Sequence, residues 1–130
     1  VNREIAPADI AAPAARYAHA VLSEAGSRLL HTSGVVPIRP DGSVPADLAE
    51  QAAVVWQNIM AMLAAARMRP SDIVSVTTYV VVDELARLAE VMAARDAALG
   101  GHRAASTLVT VPALARPEWR MEIAVVAAAP

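Results

Sequence analysis

The longest regular pattern of apolar positions lies between Asp47 and Met68. Leu48, Ala52, Val55, Trp56, Ile59, Met60, Leu63 and Ala66 recur at intervals of three and four, while Glu50, Gln51, Gln57 and Asn58 take other positions. That spacing puts one apolar stripe on a helix, begun at Asp47 or in the Ser43–Pro45 stretch before it. Pro70-Ser71-Asp72 closes the unit. Ile73 to Val82 (IVSVTTYVVV) is β-branched almost throughout and predicts an interior strand, apolar on both faces. Asp83 reads as the cap of a second helix from Glu84 to about Leu99, with Leu85, Leu88, Met92 and Leu99 on the buried side. A strand from Ala105 to Val111 comes next, then a connection from Pro112 to Pro117. The last strand runs from Glu118 to Ala127. Alternation sends Trp119, Met121, Ile123 and Val125 to one face, and Arg120, Glu122, Ala124 and Val126 to the other.

The first third is less regular. Residues 3–5 form a short strand, and Pro7 and Pro13 break up the segment after it. Tyr17, His19 and Val21 alternate with Ala18, Ala20 and Leu22, which predicts a strand from Arg16 to Leu22. Gly26 marks a turn, and Ser27 to Val36 reads as a second strand broken by His31-Thr32-Ser33-Gly34, where the glycine points to a bulge or a close backbone approach. The two stretches read as a hairpin. Strands, helix, strand, helix, strand, strand is an α/β (α+β) order, packed most economically as a mixed sheet with two helices on one face. Residues 1–130 read as one domain.

Composition sharpens this picture. Of the residues, 56% are hydrophobic, many of them alanine; there is no Phe, and there are only two Trp and two Tyr. The core must come from Val, Leu, Ile, Met and Ala, and small side chains bury little area each. Burial between subunits would add to that area, so an oligomer is expected. A net charge of −2 without basic runs argues against a nucleic-acid partner. The lack of cysteine excludes disulfides and thiolate chemistry and fits a cytoplasmic location. Val1-Asn2-Arg3-Glu4 has no leader pattern, and no apolar run approaches the roughly 18–20 residues of a membrane span.

Candidate chemistry gathers after the Gly100-Gly101 pair. Alternation in the strand puts Arg103, Ala105 and Thr107 on one face and Ser106, Leu108 and Thr110 on the other. Arginine offers a planar, two-pronged donor suited to a small carboxylate; the plainer reading of Arg103 is a solvated rim residue. Glu122, the only acid inside the last strand, reads either as a general base or as a paired structural acid. His19, His31 and His102 do not have zinc-ligand spacing, so neither metal nor cofactor is expected.

Six local signatures occur in consistent order along nearly the whole chain. They are Tyr17-Ala18-His19-Ala20-Val21; Thr32-Ser33-Gly34-Val35-Val36-Pro37; Glu50-Gln51-Ala52 through Gln57-Asn58-Ile59; Ser71-Asp72-Ile73-Val74 through Thr77-Thr78-Tyr79-Val80; Ala105-Ser106-Thr107-Leu108-Val109; and Met121-Glu122-Ile123. Together they resemble the Rid family, also called YjgF-like or L-PSP endoribonuclease-like. The resemblance implies a chorismate-mutase-like fold and a homotrimer with small-molecule clefts between subunits. It also implies hydrolysis of imines or enamines to keto acids and ammonia.

Tyr17 and Ser33 match the family's pocket tyrosine and serine. Alignment on Ser106 puts Ala105 where the family's carboxylate-gripping arginine stands, and alignment on Met121-Glu122-Ile123 puts Ala124 at its water-positioning glutamate. The expected site is therefore Tyr17, Ser33, Arg103, Ala105 and Ser106 for a small carboxylate or keto-acid-like ligand, with Thr107 and Glu122 as the catalytic candidates. A non-catalytic binding or regulatory trimer is the rival reading. Endoribonuclease action is a third, opposed by the charge and the lack of stacking aromatics.

Overall fold

The computed structural model describes residues 2–130. Strands β1 (Asn2–Ile5) and β2 (Ala20–Ser23) pair antiparallel. Strands β3 (Arg28–His31), β4 (Ile73–Val81), β5 (Ala105–Val111) and β6 (Met121–Ala129) form a mixed sheet in the order β3-β6-β4-β5, with β4 and β5 parallel and the other pairs antiparallel. Helices α1 (Leu48–Ala65) and α2 (Leu88–Leu99) supply the second layer. The result is the mixed α+β arrangement expected from the sequence.

Alternation decides which face of the sheet meets the helices. Met121, Ile123, Val125 and Ala127 of β6, with Ile73, Val76 and Val80 of β4, are buried in one core with Leu48, Val55, Ile59 and Leu63 of α1 and Val91 of α2. Thr77, Tyr79, Glu122 and Ala124 therefore lie on the opposite face. There Val109 and Leu29 are exposed, 41% and 57% respectively. Among the described residues no helix is long and apolar enough to cross a membrane.

Three expectations are corrected. The two early strands are not partners: β2 pairs with β1, and β3 pairs with β6. Leu30 packs against the core from β3, and that burial selects β6 as its partner over the local turn at Gly26. Asp83 does not cap a helix either. Val82–Arg87 forms a 3-10 turn, and α2 starts only at Leu88 with no side-chain cap. The tighter turn alters the angular phase of its residues, and Leu85, expected on the buried side, is 58% exposed. Lastly, β6 begins at Met121, leaving Trp119 before the strand.

Helix α1 is fixed at its start by two polar devices. Asp47 accepts from the backbone N–H of Ala49 (3.0 Å) and Glu50 (3.3 Å), and from Arg87 Nη2 at 3.0 Å. The hydrogen bond from Arg87, and then that from the Glu50 N–H, hold the Asp47 carboxyl below its ordinary value. Gln51, fully buried, donates to the carbonyls of Pro45 and Glu118 and accepts from the Arg120 N–H, each at 2.8 Å. It thus ties the helix to the approach of β6.

Replacing Gln51 by Leu orphans three backbone groups, at about 1–3 kcal/mol for each that stays buried. Denaturant unfolding should show a lower midpoint with little change in slope, and an unchanged midpoint would contradict the bridging role. For Asp47 the folded-state pKa is depressed, so its charge stabilises the fold above the ordinary carboxylate range, and this is lost as pH falls through the lowered value. Asp47→Asn keeps a capping oxygen but not the charge. The gap in Tm between wild type and this variant, open at neutral pH, should close as pH falls below the ordinary carboxylate range and through the lowered value.

Candidate functional site

The site residues fall into two groups. The first is built on β6. Thr32 comes directly after β3, donating to the Val125 carbonyl (3.1 Å) through its N–H and accepting from the Val125 N–H (3.0 Å) through Oγ1. Val35 then pairs with Ile123, exchanging hydrogen bonds of 2.7 and 3.1 Å. Three steps on one side thus oppose two on the other, so Ser33-Gly34 carries one extra residue, a bulge. The bulge is where Glu122 leans: a Cβ at position 34 would overlap its carboxylate oxygen. This is the close approach expected of that glycine. Beyond it, Asn58 of α1 donates to the carbonyls of Val36 (3.4 Å) and Ile38 (3.0 Å), which holds the outgoing chain. Ser33 is exposed and lines a cleft of about 390 Å³ with Gly34, Asn58 and Met62.

Glu122 is half-buried and, among the described residues, has neither an ion pair nor a hydrogen bond on its carboxylate. The plainer reading, a paired structural acid, finds no partner for it among the described residues. Its strand neighbour is Tyr79, which pairs in turn with Val109 of β5. Ala124 is two residues on, opposite Thr77. The last strand thus carries a carboxylate on the face away from the helices, at 122.

The second group lies where β5 begins. Ala18 bridges Ala105, and its N–H donates to the Ala104 carbonyl at 2.9 Å. This seats Tyr17 beside Ala105. The Tyr17 hydroxyl accepts from the Ala14 N–H at 3.2 Å, and its ring meets that of His19 edge-on, centroids 6.0 Å apart. Arg103 turns toward this corner, donating to the Tyr17 carbonyl at 2.9 Å and pairing with Glu4 of β1 at 3.4 Å. Thr107 is exposed on the same strand, paired with Thr77.

Ser106 does not join them. Its hydroxyl accepts from Arg95 of α2 at 3.2 Å, on the helix side of the sheet, opposite Ala105 and Thr107. It is a packing partner for a buried arginine that also pairs with Asp96 at 3.0 Å.

Within one chain the groups are well separated. Ala105 pairs with Ser75 and Glu122 with Tyr79, so they differ by four residues along β4 and lie on opposite sides of it. At about 3.3 Å per residue and 4.8 Å per strand, that is roughly 16 Å. Tyr17, Arg103, Ala105 and Thr107 come together, and so do Ser33 and Glu122, but the two sets do not share a ligand-sized space in a single chain. Tyr79, Glu4 and Arg16 join these surroundings without having stood out in the sequence as site residues. Tyr79 is hidden in a β-branched run, and a strand acid or a loop arginine has no local signature. Among the described residues no cluster of His, Asp and Glu is suited to a metal.

Comparison with known proteins bears on the same elements. The family model for Endoribonuclease L-PSP matches residues 8–129. Among solved structures, a Rid-family protein of unknown function, YyfB from Yersinia pestis, is 34% identical over 97% of both chains, with a TM-score of 0.87. The YjgF product of Escherichia coli is 31% identical over 96% of this chain and 97% of that one, with a TM-score of 0.70. A curated relative, the 2-iminobutanoate/2-iminopropanoate deaminase of Escherichia coli, is 38% identical over 77 residues, 58% of this chain. The match spans 59% of that relative's length. With the family model matched over nearly its whole length and the Rid fold reproduced, this chain belongs to the Endoribonuclease L-PSP family, also called the Rid or YjgF family.

Proposed function

We propose that this chain binds small carboxylate-bearing imines or enamines and adds water across the C=N bond. The observation that carries the reading is the half-buried Glu122 carboxylate, unpaired among the described residues and seated against the Ser33-Gly34 bulge. A carboxylate free of partners can take a proton from water as its oxygen bonds to the imine carbon. Glu122 passes that proton to the imine nitrogen, giving a carbinolamine. The carbinolamine hydroxyl then gives up its proton as the nitrogen takes one, the C–N bond breaks, and a keto acid and ammonia leave. Ser33 borders the reacting end, and Thr107 and Tyr17 border the carboxylate end. The curated relative is named for this chemistry on 2-iminobutanoate and 2-iminopropanoate.

The roughly 16 Å between the two groups supports a cleft completed by a second copy, with Glu122 and Ser33 from one chain facing Tyr17, Arg103, Ala105 and Thr107 of another. The exposed Leu29 and Val109, on the face away from the helices, favour such an assembly. Ala105 supports a second reading, a binding protein without turnover, because no guanidinium projects from that position.

Imino acids generated in situ by an amino-acid oxidase test the first reading. The wild type should accelerate their hydrolysis, though weakly for want of an arginine at 105. Glu122→Gln should lower the rate about a hundredfold, and Gly34→Ala, which displaces the same carboxylate, should lower it with the fold retained by circular dichroism. Keto-acid binding without hydrolysis would leave the binding-protein reading. Light scattering should return the mass of three chains; a stable monomer would remove the shared cleft.

A further inference from the structure

A cavity of about 550 Å³ lies beside Tyr17, between residues 6–16 and the start of β5. Its charged and titratable lining is Glu4, Arg16, His19 and Arg103; the rest is alanine, proline and Ile10. We propose that this cavity is the anchor for the ligand's carboxylate and that Glu4 restricts it to aliphatic monocarboxylates. The inference deepens the cleft reading and rests on it for the kind of ligand, while the binding itself is measurable without turnover.

Charge balance points to a single carboxylate. Two arginines against one glutamate leave a single positive charge while His19 is neutral. Arg16 has no hydrogen bond or ion pair among the described residues. His19 donates Nε2–H to the Ala11 carbonyl at 2.6 Å, because a carbonyl can only accept; this ties the cover of the cavity to the chain just before β2 and leaves Nδ1 without a proton in the neutral ring. One net charge suits one carboxylate. A second carboxylate on the ligand would meet Glu4 or the apolar wall.

Geometry points to Arg103 as the group that holds it. Arg103 offers a planar fork, of which the Tyr17 carbonyl occupies one N–H at 2.9 Å. Glu4 approaches that same Nη2 at 3.4 Å, with side chains 42% and 34% exposed. A half-exposed ion pair of that length is weak, so a ligand carboxylate placed squarely on the fork competes well with it. Glu4 is thus a resident anion that lowers affinity for every carboxylate and disfavours dianions most.

Calorimetric titration of the full chain at low salt with α-ketobutyrate and α-ketoglutarate tests this. The wild type should prefer the monocarboxylate. Arg103→Ala should weaken α-ketobutyrate about tenfold or more, the range for a charge-assisted hydrogen bond, and Arg16→Ala should weaken it to a lesser degree. Glu4→Gln should tighten both ligands, and α-ketoglutarate by the larger factor. Wild-type binding undiminished in Arg103→Ala, an unchanged preference in Glu4→Gln, or no binding by the wild type at millimolar ligand would overturn the proposal. Failure of the hydrolysis assay alone leaves these outcomes unaffected, so the two readings fail separately.

Discussion

The position of β6 between β3 and β4 is the constraint on which the remaining structure depends. A strand paired on both edges cannot rotate to hide an awkward side chain. Because Met121, Ile123, Val125 and Ala127 must lie under the helices, the pleat sends Glu122 to the other face. Pairing with β3 then brings the Ser33-Gly34 bulge against it, and only a residue without a Cβ fits where the carboxylate lies. Core burial on one face and chemistry on the other follow from a single register. A slip of one residue would lose both.

Where sequence reading succeeded, one periodicity was long enough to outweigh everything else. Helix α1 was legible because eight apolar positions share a stripe over some five turns, and its start because Asp47 is a side-chain acceptor just before that stripe. Strands β4 and β5 were legible from β-branched runs, and the alternation around Glu122 and Ser106 gave their opposite faces. The failures come where two local signals compete with a distant partner. Gly26 marks a turn, which suggested a hairpin, yet each flanking strand finds its partner elsewhere, β1 for one and β6 for the other. Asp83 has the chemistry of a cap, but the 3-10 turn around it postpones the helix by several residues and leaves Leu85 in solvent.

For most of the candidate residues, the sheet face was legible in the sequence; their grouping was not. Tyr17, Ser33, Arg103 and Glu122 are all placed away from the core, as the sequence implied, but the sheet's width divides them. No one-dimensional spacing contains that width, since it depends on β4 standing between β5 and β6. Ser106 illustrates the same gap at shorter range. Its neighbours Ala105 and Thr107 face the candidate ligand side, and one step of the pleat turns it to Arg95. Adjacency in a motif is therefore a poor guide to which side chains share a pocket in a strand.

The division also bears on how such a site can diverge. If its carboxylate-holding corner and its proton-handling corner sit on different elements, each can change without disturbing the other's packing. At β5 the alanine at 105 costs the core nothing, because that position faces away from the helices, and the neighbouring Arg103 is held by a backbone carbonyl and by Glu4. At β6 the Glu122–Gly34 fit depends on β3 and α1 and is independent of the N-terminal segment. Variation in the 6–16 stretch, which makes almost no core contact, can alter what the anchor accepts while the proton-handling end stays fixed. On the proposed reading, ligand choice would reside in the least constrained part of the chain, and reaction type in the most constrained.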